Sequence, residues 1–196
     1  MKFLIFLIIL VGIIGFIAYL YNQLVSLKEQ FKNAFSQIDI QLKRRYDLIP
    51  NLVETAKAYL KHESDTLTKV TEARNTALSA LKAVTGNIDN SSAITALNQA
   101  EKQLSQALTS FNLQIEAYPE LKANENIMQL SEELSSTENR IAFARQAYND
   151  AVMAYNIQRK TFPTNLFAAK FGHFKDAVLL SFEDSSELQN APKISF

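Results

Sequence analysis

The sequence predicts an all-α protein with an N-terminal transmembrane helix followed by an antiparallel, up-and-down four-helix bundle and a Phe-rich C-terminal tail. Apolar residues recur at every third or fourth position through most of the chain, which is the period of one face of an α-helix. Only four Gly and four Pro occur in 196 residues, so the elements should be long and the turns few. We expect an anchor over residues 1–22, a helical bundle over 23–162, and a tail packed on the bundle over 163–196.

The anchor is predicted from an uncharged stretch, because no charged residue lies between Lys2 and Lys28. A helix of about 20 apolar residues is long enough to cross a bilayer. A cleaved signal peptide would have a shorter apolar core, of about 7–15 residues, and a small-x-small cleavage site. The stretch ends in Ala18-Tyr19-Leu20-Tyr21, which offers no such site, and its Tyr residues suit the lipid–water boundary. A retained anchor is therefore favoured over a cleaved one.

A tight reversal is predicted from Asp47 to Pro50, after a first bundle helix that continues from the anchor to Tyr46. Proline disfavours helical geometry at the preceding residue, lacks an N–H, and suits the first turn of a new helix. The second helix should then run from Asn51 to Val84 and end before a glycine, Gly86.

Two further helices complete the predicted bundle. The third is expected between a capping stretch at residues 89–92 and Pro119, and the fourth from Asn124 to Phe162. Short connections between helices of similar length favour packing within one chain over an intermolecular coiled coil. From Phe162 onward the chain carries six of its thirteen Phe residues, which predicts docking of the tail on the bundle, with a partner-binding strip as the alternative.

Long stretches of the chain resemble one protein family, LemA. The closest similarity lies in residues 21–28 and 33–54, and shorter matches follow at His62-Glu63, Thr66-Leu67, Val70-Thr71, Ala73-Arg74, Glu138–Ile141, Tyr148-Asn149, Tyr155-Asn156 and Phe162-Pro163. The resemblance covers nearly the whole chain. It implies a membrane-anchored bacterial helical bundle with no established biochemical activity. The expected location is thus the bacterial inner membrane, and basic residues after the anchor favour a cytoplasmic bundle.

Polar residues interrupt the apolar faces of the predicted helices. A charge left unpaired in a bundle core is strongly unfavourable, so these residues should pair or reach water. We expect an ion-pair and hydrogen-bond network that fixes helix register, formed by Glu63, Arg74, Glu101 and either Arg140 or Arg145.

Two other groups of polar residues are candidate sites. Tyr148-Asn149 recurs seven residues later as Tyr155-Asn156, which places both Tyr on the apolar face and both Asn beside it. A structural role in the polar network is favoured there over a ligand site. Lys43, Arg44 and Arg45 precede the predicted reversal, at an exposed tip of the bundle, where they form a candidate protein-binding surface.

Catalytic and metal-binding patterns do not appear in the sequence. His62-Glu63 would need a second His at position 66, which is Thr66. No residue pattern for nucleotide, metal or nucleic-acid binding is present, so no cofactor and no nucleic acid is predicted. We expect a scaffold or modulator that binds other proteins at the membrane. The alternatives are a membrane-organising homo-oligomer and, less favoured, an enzyme that uses the polar network.

Overall fold

The computed structural model describes residues 1–60 and 63–181, and over these ranges the protein is all-helical, as predicted. It contains five α-helices and a short 3₁₀ helix, and no β-strand occurs among the described residues. The helices are α1 (Lys2–Lys57), α2 (Ser64–Gly86), α3 (Ser91–Ala117), α4 (Pro119–Lys122) and α5 (Glu125–Lys160), and the 3₁₀ helix is Thr164–Leu166.

The long helices pack side by side, α1 along α5, α2 along α3, and α1 also against α2. Gln158 Nε2 donates a hydrogen bond to Gln23 Oε1 at 2.8 Å near one end of the α1–α5 pair. Toward the other end, Arg44 Nη2 donates to Glu133 Oε1 at 2.6 Å. Because residue numbers rise along α1 as they fall along α5, these two helices run antiparallel.

The predicted reversal at Asp47 to Pro50 is wrong. The first helix continues through Pro50 to Lys57, and the chain turns back before α2 begins at Ser64. Pro50 cannot donate the helical hydrogen bond to the carbonyl oxygen of Tyr46, four residues earlier. In the structure, Nε of Arg74 on α2 donates to that oxygen at 2.9 Å. The neighbouring helix thus satisfies the carbonyl that the proline leaves free.

The predicted start of the second helix at Asn51 is wrong for the same reason, because Asn51 lies inside α1 and α2 begins at Ser64. The remaining predicted helix ends lie within two residues of the observed ones. The second helix ends at Gly86, and Pro119 starts a new short helix immediately after α3. Side-chain oxygens of Asn90 and Asn124 accept hydrogen bonds from backbone N–H groups in the first turns of α3 and α5. Asparagine at this position satisfies N–H groups that the helix itself leaves without partners. Local chemistry sets these boundaries, which is why the sequence predicts them.

The beginning of α1 differs from the rest of the helix in its exposure. Its large apolar side chains from Phe3 to Phe16 are 41–77% exposed, whereas one face is buried from Leu20 onward. An 18-residue window of this helix has a mean hydropathy of 3.0, and α1 is the one helix among the described residues that is long and apolar enough to cross a membrane. An exposed apolar surface of this extent is typical of contact with lipid or protein.

Candidate functional site

A charged cluster lies inside the helix packing, between α1 and α3. Nη2 of Arg45 and the hydroxyl group of Tyr46 donate hydrogen bonds to the two carboxylate oxygens of Glu101. Nη1 of Arg45 also lies 3.6 Å from Oε1 of Glu138 on α5. Arg45 and Glu101 are 4% and 2% exposed, so the pair is removed from water. The cluster joins three helices.

The electrostatics of this cluster favour one fixed protonation state. Burial is the largest single influence on the pKa of Arg45 and acts to lower it, but Glu101, Tyr46 and Glu138 together outweigh burial, so the pKa is raised. Burial and the same carboxylate raise the pKa of Tyr46 as well. Arg45 therefore stays charged and Tyr46 neutral over the physiological range. Because both oxygens of Glu101 already have donors, the arrangement resembles the buried polar pairs that fix helix register.

The predicted network has different members in the structure. Of the predicted residues, Glu101 lies in the cluster, but its partners are Arg45 and Tyr46. Arg74 bonds to the backbone of α1, and its Nη2 lies 3.9 Å from Asp47. The other three residues lie elsewhere: Glu63 directly before α2, Arg140 on the exposed face of α5, and Arg145, half-buried, beside a depression on α5.

The predicted basic surface also has a different arrangement. Arg45 is buried, so its assignment to an exposed surface is wrong. Lys43 Nζ lies 2.7 Å from Asp39, and Arg44 pairs with Glu133 on α5. The error follows from the misplaced reversal: with α1 continuous through Pro50, residues 43–45 lie within a packed helix and not at its tip.

A second polar site holds residues 177–181, which we call the tail segment. This segment lies outside the helices, and seven side-chain hydrogen bonds reach its backbone from α3 and α5. Three asparagines and one tyrosine make these bonds. We call Asn98, Asn149 and Asn156 the asparagine clamp.

Two asparagines on α5 each bind both backbone groups of one tail residue. Nδ2 of Asn156 donates to the carbonyl of Ala177 at 2.8 Å, and Oδ1 accepts from its N–H at 2.9 Å. Asn149 makes the same pair of bonds with Leu180, both at 2.9 Å. Seven helical residues span about 10.5 Å and three extended residues about 10 Å. The repeat of Tyr-Asn on α5 thus matches the spacing of an extended chain.

The third asparagine holds the tail segment from α3. Nδ2 of Asn98 donates to the carbonyl of Leu179 at 3.3 Å, and its Oδ1 accepts from the N–H of Ser181 at 3.2 Å. The hydroxyl of Tyr148 on α5 donates to the carbonyl of Val178 at 3.0 Å. The tail segment therefore bridges α3 and α5.

Side chains of the tail segment alternate between the helices and solvent. Leu180 is 1% exposed and Val178 is half-buried, whereas Leu179 between them is 44% exposed. This alternation is the geometry of an extended strand. The clamp fixes the backbone, and the two inward apolar side chains set the register.

A turn before the tail segment is held on α5. His173 is buried, and its Nδ1 forms a 2.8 Å hydrogen bond with the hydroxyl of Tyr155. Burial lowers the pKa of His173. Beyond it, Asp176 pairs with Arg159 and with Lys160, whose Nζ lies 2.5 Å away, and the hydrogen bond from Lys160 lowers the pKa of Asp176. A cavity of about 180 Å³ lies beside this turn.

The tail's Phe residues contribute less to docking than the sequence suggests. Phe162 and Phe174 are 74% and 72% exposed, while Phe171 packs edge-on against Tyr21 with ring centroids 5.3 Å apart. Phe182 and Phe196 lie outside the described residues. Among the described tail residues, contact with the helices therefore depends less on Phe than on the backbone hydrogen bonds of the tail segment and on the buried residues Ala168, His173 and Leu180.

Sequence reasoning found two of the three clamp residues but not their partner. The Tyr-Asn repeat placed Asn149 and Asn156 beside the apolar face, where a bridge between helices was expected. Asn98 has no repeat, although it directly follows the core residue Leu97 on α3. Within the described part of the chain, no group of three or more His, Cys, Asp or Glu could hold a metal ion.

Comparison with known proteins identifies the family. The family model for LemA matches residues 34–196. The chain belongs to the LemA family. A curated relative, Protein LemA of Metamycoplasma hominis, is 29% identical over 175 residues, which cover 86% of this chain and 75% of the relative. The resemblance predicted from the sequence is confirmed, and the matched range includes the clamp and the buried cluster. The family name assigns no catalytic activity.

Proposed function

We propose that this LemA family member is a single-pass, membrane-anchored four-helix bundle that binds other proteins at the bacterial inner membrane. It would act there as a scaffold or modulator and would not catalyse a reaction. The proposal includes a lipid bilayer around the first helix and membrane-associated proteins as partners, with self-association possible. It includes no nucleic acid and no cofactor.

One observation carries the proposal: a single helix contains both an exposed apolar stretch and a packed stretch. Residues 3–16 of α1 expose large apolar side chains, and the same helix then packs along α5 and α2. Exposure of such an apolar surface to water is unfavourable, whereas the hydrocarbon core of a bilayer can surround it. An anchor that continues into the packed helices without a break favours a protein that works close to the membrane.

Binding of proteins is supported by exposed apolar residues away from the anchor. On α5, Phe143, Met153 and Ile157 are 73%, 52% and 58% exposed. Met153 and Ile157 are four residues apart and so are neighbours on the helix surface, and Phe143 lies about 15 Å from Met153 along the same helix. Aromatic and Met side chains are enriched in protein–protein interfaces. The absence of catalysis is supported by the buried cluster, where Arg45 and Tyr46 occupy both oxygens of Glu101.

Crosslinking in cells tests the binding role. A photo-reactive amino acid at Phe143 should crosslink to proteins other than this chain, whereas the same residue at Glu72, an exposed polar position on α2, should not. Crosslinks at Phe143 to copies of the same chain alone would favour a membrane-organising oligomer. Crosslinking at Phe143 no greater than at Glu72 would contradict the scaffold.

The side of the membrane has a separate test. The chain contains no Cys, so a single substitution at the exposed Glu132 gives one thiol to label. The basic residues that follow the anchor favour a cytoplasmic bundle. A membrane-impermeant maleimide should then label the protein only after the cells are lysed. Labelling in intact cells would place the bundle outside the cytoplasm.

A further inference from the structure

We propose that the asparagine clamp is a binding site for an extended polypeptide segment of a partner protein, and that the tail segment is its built-in occupant. This inference rests on the proposed protein-binding function, to which it adds a site and the chemistry of the partner. The partner would replace the tail segment between α3 and α5.

The clamp recognises atoms that every polypeptide has. All seven hydrogen bonds to the tail segment end on backbone N–H or C=O groups. Binding through main-chain hydrogen bonds, with pockets for alternate side chains, is also how a peptide adds to an open sheet edge. In this protein, side chains on α3 and α5 supply the hydrogen-bonding groups that the open edge of a sheet supplies in that mode of binding. Recognition therefore depends on an extended backbone and on two inward side chains.

Geometry defines the segment that fits. Three positions require an N–H group, because the clamp asparagines accept from the N–H groups of Ala177, Leu180 and Ser181. Proline is therefore excluded at all three positions. The position of Leu180 needs an apolar side chain that fills a buried pocket, and that of Val178 a half-buried apolar one. The position of Leu179 is open to solvent and accepts many residue types. The partner is thus an extended strand with apolar residues two positions apart.

The tail segment can leave without disturbing the helices. It follows a turn whose buried anchor, His173, lies before it, and the connecting residues Phe174 to Asp176 are exposed. Within the segment only Leu180 is fully buried. Exchange therefore breaks bonds to three asparagines and one tyrosine, and the incoming backbone re-forms them. Because the tail segment is covalently attached, it competes at a high effective concentration.

Peptide binding to the full-length protein in detergent tests the proposal. The receptor carries Ala177→Pro and Leu180→Asp, which remove one bonded N–H and the buried apolar side chain, so that its own tail segment no longer occupies the clamp. The probe is a fluorescent peptide, Lys-Asp-Ala-Val-Leu-Leu-Ser, identical to residues 175–181. Fluorescence anisotropy should show saturable binding to this receptor and binding at least tenfold weaker to the unaltered chain, whose clamp is occupied.

Matched controls distinguish recognition of the peptide backbone from nonspecific hydrophobic binding. A peptide N-methylated at the positions of Ala177 and Leu180 keeps every side chain but lacks two of the three bonded N–H groups, and it should bind at least tenfold more weakly. Adding Asn149→Leu and Asn156→Leu to the receptor should weaken binding of the unmodified peptide by a similar factor. Equal binding of the two peptides, or no binding to a receptor with unchanged helical circular dichroism, would overturn the proposal.

Hydrogen exchange of the unaltered chain provides a second test, which does not require the Ala177→Pro, Leu180→Asp variant to fold. Excess unmodified peptide should speed exchange of the backbone amides of Ala177 and Leu180, and the N-methylated peptide should not. Unchanged exchange at saturating peptide would refute displacement. Phe143 lines the same depression as Asn149 and Leu180, so the independent test of the scaffold places the photo-reactive amino acid at Met128, which is 51% exposed near the start of α5. Partners found at Met128 while peptides fail to bind would leave the scaffold standing without this site.

Discussion

At the scale of single residues, Pro50 and Arg74 depend on each other across two helices. A proline inside a helix costs about 3 kcal/mol relative to alanine, in part because it leaves a carbonyl without a partner. Here the guanidinium group of Arg74 donates to that carbonyl, on Tyr46, at 2.9 Å. A hydrogen bond from a charged donor contributes about 1.5–3 kcal/mol. Arg74 offsets a substantial part of the cost of Pro50.

A double-mutant cycle checks this dependence. Arg74→Met should lower the free energy of unfolding by about 1–3 kcal/mol, because the carbonyl of Tyr46 loses its donor. In a Pro50→Ala background the same substitution should cost much less, since the N–H of Ala at position 50 can bond to Tyr46. Denaturant unfolding in detergent measures both. An equal cost in the two backgrounds would show that Arg74 does not act through this carbonyl.

The Arg45–Glu101 pair gives a second prediction at this scale. Glu101→Leu alone should cost about 3–5 kcal/mol, because it leaves the guanidinium group of Arg45 buried without its main partner. Replacing both residues, as Arg45→Met with Glu101→Leu, should restore most of that stability, since buried pairs can often be exchanged for apolar residues. Unfolding midpoints of four proteins, the unaltered chain, Arg45→Met, Glu101→Leu and the double variant, decide the matter. Additive losses would contradict a coupled pair.

His173 makes stability depend on pH. Its folded pKa is lowered by burial and by the nearby cations Lys28 and Arg159, against the opposite effect of Asp89. The unfolded chain therefore binds a proton more readily at this residue. The contribution of neutral His173 to the free energy of unfolding is complete above the unfolded pKa of about 6.5 and declines as the pH falls through that value. When the pH is lowered from 8 to 5, the native chain should therefore lose stability relative to the His173→Gln variant. No change in the relative stability of the two proteins would argue against a buried neutral imidazole.

At the scale of elements, α1 is one helix from the apolar stretch to Lys57. Spin labels at the exposed residues Glu29 and Glu54, introduced as cysteines into a chain without Cys, should lie about 38 Å apart, at 1.5 Å per residue. A reversal at residues 47–50 would reduce the separation to about 20 Å by the same rise. Pulsed electron paramagnetic resonance distinguishes the two distances, and the shorter one would refute a continuous α1.

Features set by neighbouring residues could be predicted from the sequence, and features set by remote partners could not. Periodicity gave the helices, and Asn90, Asn124 and Gly86 gave their ends, because caps and stops act within a few residues. The donor that stabilises the helix at Pro50 comes from α2, and no local pattern reveals it. The partner of Glu101 was missed for a related reason, because the misplaced reversal put Arg45 on the surface. The Tyr-Asn repeat was visible, but the extended backbone that it holds lies more than twenty residues away.

At the scale of the whole molecule, the two halves of α1 should respond differently to a charge. Ile9 and Ile40 are equally exposed, at 56% and 55%, but only Ile9 lies in the apolar stretch. Ile9→Arg places a charge near the middle of the proposed membrane span, where it costs about 2.5–3.5 kcal/mol on insertion scales. This variant should reach the membrane fraction less efficiently. Ile40→Arg should behave like the unaltered chain, and equal effects would contradict an anchor limited to the first stretch.

Since Arg74 lets α1 pass Pro50 without a break, the proposed membrane-spanning stretch and the packed stretch belong to one stiff helix. A helix longer or shorter than the local hydrocarbon thickness adjusts by tilting. Because the helix has no break, a tilt of its apolar stretch in the bilayer would tilt the packed helices with it. The height and orientation of the asparagine clamp above the lipid would then report membrane thickness.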